Sequence, residues 1–177
     1  MSTGGDGGTR GAQAPRDAFE LRAAAPDDVP AMCATVAEGL ASYAAWAPGW
    51  TPPPAITDPE ALRGRFAAPG FIAHVNADVS AHVAAYPAAD EPGAVHLMHL
   101  FARVTRQGTG VAAALLDLAV ADARRAGATA MRLRTPAGNA RAIAFYLREG
   151  WAQDGPVQAE RAGTGLGLPF VWLRRPL

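Results

Sequence analysis

The chain has no lysine: all 16 of its Lys-or-Arg positions are arginine. That excludes a nucleotide P-loop, G-x-x-x-x-G-K-S/T, whose lysine must reach the phosphates. Cysteine is nearly missing too. With Cys33 alone, neither an intrachain disulfide nor a cysteine-rich metal site can form, and a reducing cytoplasm is the expected location. No sign of charge is in surplus, since 16 acidic residues balance the arginines to a formal net charge of +0. The broad basic field that nucleic acid or anionic lipid would demand is therefore absent. Nor is there an uninterrupted apolar run of the roughly 18 residues that a membrane span needs. The longest candidate, 111–123, is broken by Asp117 and Asp122. The abundance of alanine, glycine and proline, beside the exclusive use of arginine, points to gene base composition rather than chemistry.

What is present suits a single domain: 177 residues, half of them apolar. The opening "MSTGGDGGTRGAQAPR" has no apolar core for a signal peptide and too little to bury against the entropy of ordering. Residues 1–16 are expected to be a disordered tail and 17–177 the domain. "FELRA" (19–23) alternates as a strand. A helix follows from Asp27 or Asp28, with Val29, Met32, Cys33, Val36 and Leu40 at helical spacing. "YAAWAPGWTPPP" (43–54) reads as an ordered loop, and Asp58–Pro59 as the cap and first turn of a short helix to about Ala67. "FIAHVNA" and "VSAHVAAY" are strands around a tight "NAD" turn, and 94–104 is a longer strand. Residues 109–126 form a helix closed by Gly127, "AMRLRT" a strand, and 139–149 a helix closed by Gly150. Short strands near 151–157 and 169–173 complete the order β-α-α-β-β-β-α-β-α-β-β, an α/β (α+β) class with a mixed sheet and helices on both faces.

"RQGTGVAAALL" (106–116) puts a glycine turn between the long strand and its helix. A helix start offers unpaired N–H groups and about half a positive charge to a phosphate, and glycines let the backbone approach it closely. Gly108, Gly110 and Ala113 fit the dinucleotide frame G-x-G-x-x-G/A. A Rossmann turn, however, opens its domain and is followed by several βα units and an acidic ribose ligand. Here 67 residues follow Gly110, and the next strand ends "RLRT".

The frame Gln107-Gly108-Thr109-Gly110-Val111-Ala112 reads instead as Q/R-x-x-G-x-G/A. It stands behind "HLFARVTRQGTG" and ahead of "LRTPAGNARAIAFYLREGW", in which Asn139, Ala142, Phe145, Tyr146, Gly150 and Trp151 fall into the pattern N-x-x-A-x-x-F-Y-x-x-x-G-F/W. Over residues 94–151 the chain resembles the GNAT superfamily of acetyl-CoA-dependent N-acetyltransferases. The resemblance implies a mostly antiparallel twisted sheet, acetyl-CoA as cosubstrate and no metal. It places the pyrophosphate at Gln107, Gly108, Thr109, Gly110, Val111 and Ala112. The pantetheine arm pairs along Leu100, Phe101 and Ala102 (the last a departure from the usual valine), with Asn139 beside it.

Transfer of an acetyl group from thioester to amine needs a proton removed from the amine and one supplied to the thiolate. An alkylammonium of pKa about 10.4 must lose roughly 4 kcal/mol worth of proton at pH 7. Tyr146 matches the tyrosine that protonates the departing sulfur in the resemblance. His96 stands where many relatives carry a glutamate, and histidine can act directly or through water. His99, expected to face the other side of the strand, is its rival, and water alone is a third option. His74 and His82 lie on separate strands without a ligand pattern. Cys33 sits in an apolar helical stripe as a core residue, with an acyl-cysteine role as the alternative.

Tyr43, Trp46 and Trp50 are candidates either to wall an acceptor pocket or to pack their loop onto the sheet. As walls they favour a small apolar, aromatic or cationic amine. The expected activity is N-acetylation of a small-molecule primary amine by direct attack in a ternary complex. A protein or peptide acetyltransferase and a non-catalytic acyl-CoA-binding module stay open. A homodimer is compatible with the resemblance, and neither nucleic acid nor membrane is an expected partner.

Overall fold

A computed structural model describes residues 19–159 and 166–177, and the expected tail lies outside them. The elements follow the expected order: β1 (Leu21–Ala23), α1 (Val29–Ala41), α2 (Pro59–Phe66), β2 (Ile72–Asn76), β3 (Ala81–Pro87), β4 (Ala94–Ala102), α3 (Val111–Arg125), β5 (Ala130–Pro136), α4 (Ala140–Arg148), β6 (Ala152–Gln153) and β7 (Phe170–Pro176). They build one sheet in the order β1-β2-β3-β4-β5-β7-β6. Every pairing is antiparallel except that of β4 with β5. Among the described residues no helix is long and apolar enough to cross a membrane.

Local chemistry explains most boundaries. Asp58 Oδ1 accepts the Glu60 N–H at 3.0 Å, and Pro59 pre-sets the first turn of α2. Asp28 does not cap α1 from its side chain. It turns back to accept the Ala25 N–H at 2.8 Å and to pair with Arg22 at 2.7 Å, so a 3₁₀ turn, Pro26–Asp28, leads into the helix. β3 begins at Ala81 rather than Val79 because Asn76 Oδ1 takes the Ala81 N–H at 2.7 Å and extends the turn. The loop 43–54 is flanked by 3₁₀ turns at Ser42–Ala45 and Pro54–Thr57. β6 is shorter than expected and β7 longer, running to Pro176 along β5.

Two apolar layers sandwich the sheet. On one face Leu115, Leu116, Ala119 and Val120 of α3 pack against Val83, Val95, Leu97, Met131 and Leu133, with Phe145 and Tyr146 of α4 beside them. On the other, Val29, Met32 and Cys33 of α1 and Leu62 of α2 cover Val75, Val79 and Met98. Each fully buried side chain of this size contributes about 1.5–3 kcal/mol. The first layer anchors the helix behind the glycine turn; the second leaves a cavity over β4 lined by residues of both α1 and α2.

Candidate active site

The parallel ladder between β4 and β5 has three rungs and ends at His96 opposite Arg132. Beyond it each strand stays with its outer neighbour: β4 follows β3 to Ala102, and β5 follows β7 to Pro136. The sheet therefore splits, and the β4 edge from Leu97 onward carries backbone donors and acceptors with no strand across from them. A cleft of about 470 Å³ fills the split.

β4 also carries a bulge. Its register with β3 passes from Leu97 opposite Ala85 to His99 opposite Ala84, so Met98 is the extra residue. The alternation switches there. Val95, Leu97, Leu100 and Ala102 face the α3 layer, whereas Met98 and Phe101 belong to the layers under α1. The expectation that His99 faces away from His96 is thereby overturned: both line a second cavity, of about 330 Å³, on the α1–α2 side. The signal was in the sequence, as a three-residue step from Leu97 to Leu100 within a two-residue period. The two cavities share Leu97, Met98, Phe101, Arg134, Thr135, Pro136 and Leu166, so they meet at the split.

The glycine turn closes one end of the larger cleft. Gly110 holds φ +98° as the residue before α3, a left-handed conformation costly to any side chain. A Cβ on Gly108 would meet nothing within 4 Å, so the backbone there is bare toward the cavity. Around the turn, Arg106 is held by Asp78 at 2.6 Å and Ser80 at 3.1 Å. Gln107 donates to the Ala102 carbonyl at 3.3 Å and takes a bond from Arg141.

Leu100, Phe101, Ala102, Gln107, Gly108, Gly110 and Ala112 all line the larger cleft. Asn139, Tyr146 and Tyr43 line it as well. Thr109 and Val111 do not: the Thr109 hydroxyl turns back to the Arg106 carbonyl at 2.7 Å, and Val111 is buried under α3. Trp46 and Trp50 line neither cavity. Their rings stack on Tyr43 at 4.6 and 5.4 Å, and the Trp50 indole donates to the Leu166 carbonyl at 2.8 Å. Cys33 is buried among Val29, Met32 and Leu62, away from both cavities.

The sequence model of the acetyltransferase (GNAT) family matches residues 40–151 of the 177. The chain belongs to the acetyltransferase (GNAT) family. No curated protein matches it. Solved structures give the same fold at low identity. The ribosomal-protein-alanine N-acetyltransferase of Brucella melitensis is 21% identical over 89% of this chain and 99% of that one, with a TM-score of 0.69. The PaiA N-acetyltransferase of Thermoplasma acidophilum, in complex with coenzyme A, is 14% identical over 90% and 99%, at 0.69. A GCN5-related N-acetyltransferase of Kribbella flavida is 21% identical over 92% and 100%, at 0.67. Membership makes this chain an acyltransferase with acetyl-CoA as its cosubstrate.

In this acetyltransferase the site's titratable groups are tuned by burial. Desolvation, and then the neighbouring Tyr43, push the Tyr146 phenol upward, so it stays a neutral donor at any physiological pH. Trp151 and Phe145 fix its ring edge-on at 5.5 and 5.2 Å. His96 is lowered to about 4, first by desolvation and then by Arg132 and Arg134. His99 is lowered to about 4 by desolvation and then by Arg65. Both imidazoles are neutral at pH 7. Beneath them lies His82, which is fully buried, edge-on to His99 at 5.6 Å, with neither ring nitrogen hydrogen-bonded. His74 pairs with Asp122 at 2.7 Å. Among the described residues no group of three or more His, Cys, Asp or Glu could hold a metal ion.

The sequence reading missed Arg65, Tyr86, Arg134 and Thr135, which line the second cavity from α2, β3 and β5. No local pattern marks them, because only the packing of distant segments brings them together.

Proposed function

We propose that this acetyltransferase moves the acetyl group of acetyl-CoA to the primary amine of a small molecule by direct attack in a ternary complex. The carrying observation is the pair of cavities meeting where β4 and β5 part. The larger suits the coenzyme: the 107–112 turn and the free N–H groups opening α3 would hold the pyrophosphate, and the exposed β4 edge at Leu100–Ala102 the amides of the arm. The smaller would hold the acceptor. Its volume of about 330 Å³, lined by two helices and four strands, suits a small molecule.

The nitrogen lone pair adds to the thioester carbon, the carbon–sulfur bond breaks, and the departing thiolate takes the Tyr146 proton. The low basicity of both histidines argues against either as the base. Handing an alkylammonium proton to an imidazole of pKa about 4 is uphill by about 9 kcal/mol, whereas release to solvent at pH 7 costs about 4–5 kcal/mol. The amine therefore loses its proton through water, and His96 and His99 serve as neutral hydrogen-bond partners for that water and for the amine.

Calorimetric titration with acetyl-CoA tests the coenzyme site, and Gly110→Glu should weaken binding at least about tenfold. In an amine screen, Tyr146→Phe should lower kcat about 10–100-fold and leave acetyl-CoA affinity intact. Absence of acetyl-CoA binding would overturn the reading.

A further inference from the structure

The second cavity is apolar along Leu40, Leu62, Met98, Phe101 and Phe170, and its charged lining residues are Asp58, Arg65 and Arg134. Asp58 is the one carboxylate lining it among the described residues, and its Oδ1 is committed to the Glu60 N–H of α2. Arg134 and Arg65 line it opposite. Arg65 differs from its neighbours in what holds it. Arg63, two residues earlier, pairs with Glu60, and Arg132 pairs with Asp90 and Glu91. Arg65 has no carboxylate partner among the described residues; its guanidinium lies 4.6 Å over the Tyr86 ring, and Tyr86 stands 5.2 Å from His96. Cation–π contact fixes the plane of the guanidinium without consuming its in-plane N–H donors, which form a fork matched to an oxyanion.

Resting on the acceptor reading above, we propose that the acceptor amine carries an oxyanion, such as a carboxylate, on an apolar body, and that Arg65 receives that group. An amine bearing its own anion enters as a net-neutral species.

The test uses the full chain and thiol release from acetyl-CoA, with leucine, methionine and phenylalanine each set beside its amide and its decarboxylated amine. The acids should show KM values at least about tenfold below their twins. Arg65→Gln should raise KM for the acids to the level of the amides with little change in kcat, and Arg65→Lys should recover part of the loss. Arg63→Gln, outside both cavities, should change nothing. Calorimetry of the coenzyme-A-loaded protein with 4-phenylbutanoate and 4-phenylbutylamine gives a readout independent of turnover: the anion should bind and the cation should not. Equal binding of the two, preference for the cation or binding of neither overturns the proposal, as does an Arg65→Gln effect equal for acids and amides. If acetyl-CoA itself does not bind, the reading of the site fails and takes this inference with it. If acetyl-CoA binds but the twins are not distinguished, only this inference fails.

Discussion

Asn139 Nδ2 donates to the Tyr43 hydroxyl at 3.4 Å, while Oδ1 of the same side chain accepts the Ala142 N–H at 3.1 Å. One amide thus caps α4 and ties it across the larger cleft to the loop after α1. Asn139→Ala should cost about 1–2 kcal/mol through the lost cap, which lowers Tm by about 2–4 °C per kcal/mol. Tyr43→Phe gives up only a long hydrogen bond and should cost less than about 1 kcal/mol. Thermal unfolding of the two variants checks the ranking, and equal losses would contradict it.

Gly39 of α1 lies against Phe101 of β4 so closely that a Cβ there would stand 2.4 Å from Phe101 Cδ1. Alanine would gain about 1 kcal/mol of helix propensity, but overpacking costs about 1–3 kcal/mol and the ring is hemmed in by His82 and His99. Gly39→Ala should be net destabilising by about 1 kcal/mol. Adding Phe101→Leu should recover part of the loss, so denaturant midpoints of the single and double variants must be non-additive.

At the glycine turn, stability and binding should separate. Gly108 has φ +79° and open space where a Cβ would go, so Gly108→Ala adds about 1–2 kcal/mol of left-handed strain without a clash. The methyl group would nonetheless stand on the surface proposed for the coenzyme phosphates. Acetyl-CoA affinity should fall about tenfold while Tm drops by only a few degrees. A Tm loss with unchanged affinity would remove Gly108 from the coenzyme site.

His96 and His99 both have folded-state pKa values of about 4, below the unfolded value of about 6.5. His96 faces Arg132, Arg134, Asp90 and Arg65; His99 faces Arg65 and His82. Between those limits the unfolded chain binds more protons than the folded one, so stability rises with pH. The contribution is whole above about pH 6.5 and is lost progressively toward pH 4. Each unit of displacement is worth about 1.4 kcal/mol, so Tm should fall by several degrees between pH 6.5 and 5, before most carboxylates titrate. His99→Gln should flatten that slope, and a Tm independent of pH over this window would contradict the assigned directions.

Much of the site could be read from the sequence because it depends on neighbours along the chain. The turn at Gly108 and Gly110, the Asn139 cap and the placement of Tyr146 on the α4 face follow from backbone conformation, capping and helical period. Each is fixed within one or two turns of chain. The bulge at Met98 was half legible: the apolar step betrays it, but pairing with Ala84 and Ala85 is what places it.

The sequence by itself determined the order of the elements, the helix that presents the glycine turn, and the family chemistry carried by residues 94–151. The tertiary structure alone decided that β4 and β5 part after His96, that His96 and His99 share a cavity, and that Trp46 and Trp50 pack behind Tyr43. It also decided that Arg65 from α2 and Tyr86 from β3 meet at the second cavity. The reason is physical. Local propensity and period act over a few residues. Which strand edge stays unpaired, and which distant charge reaches a cavity, is settled by burying apolar faces from segments tens of residues apart.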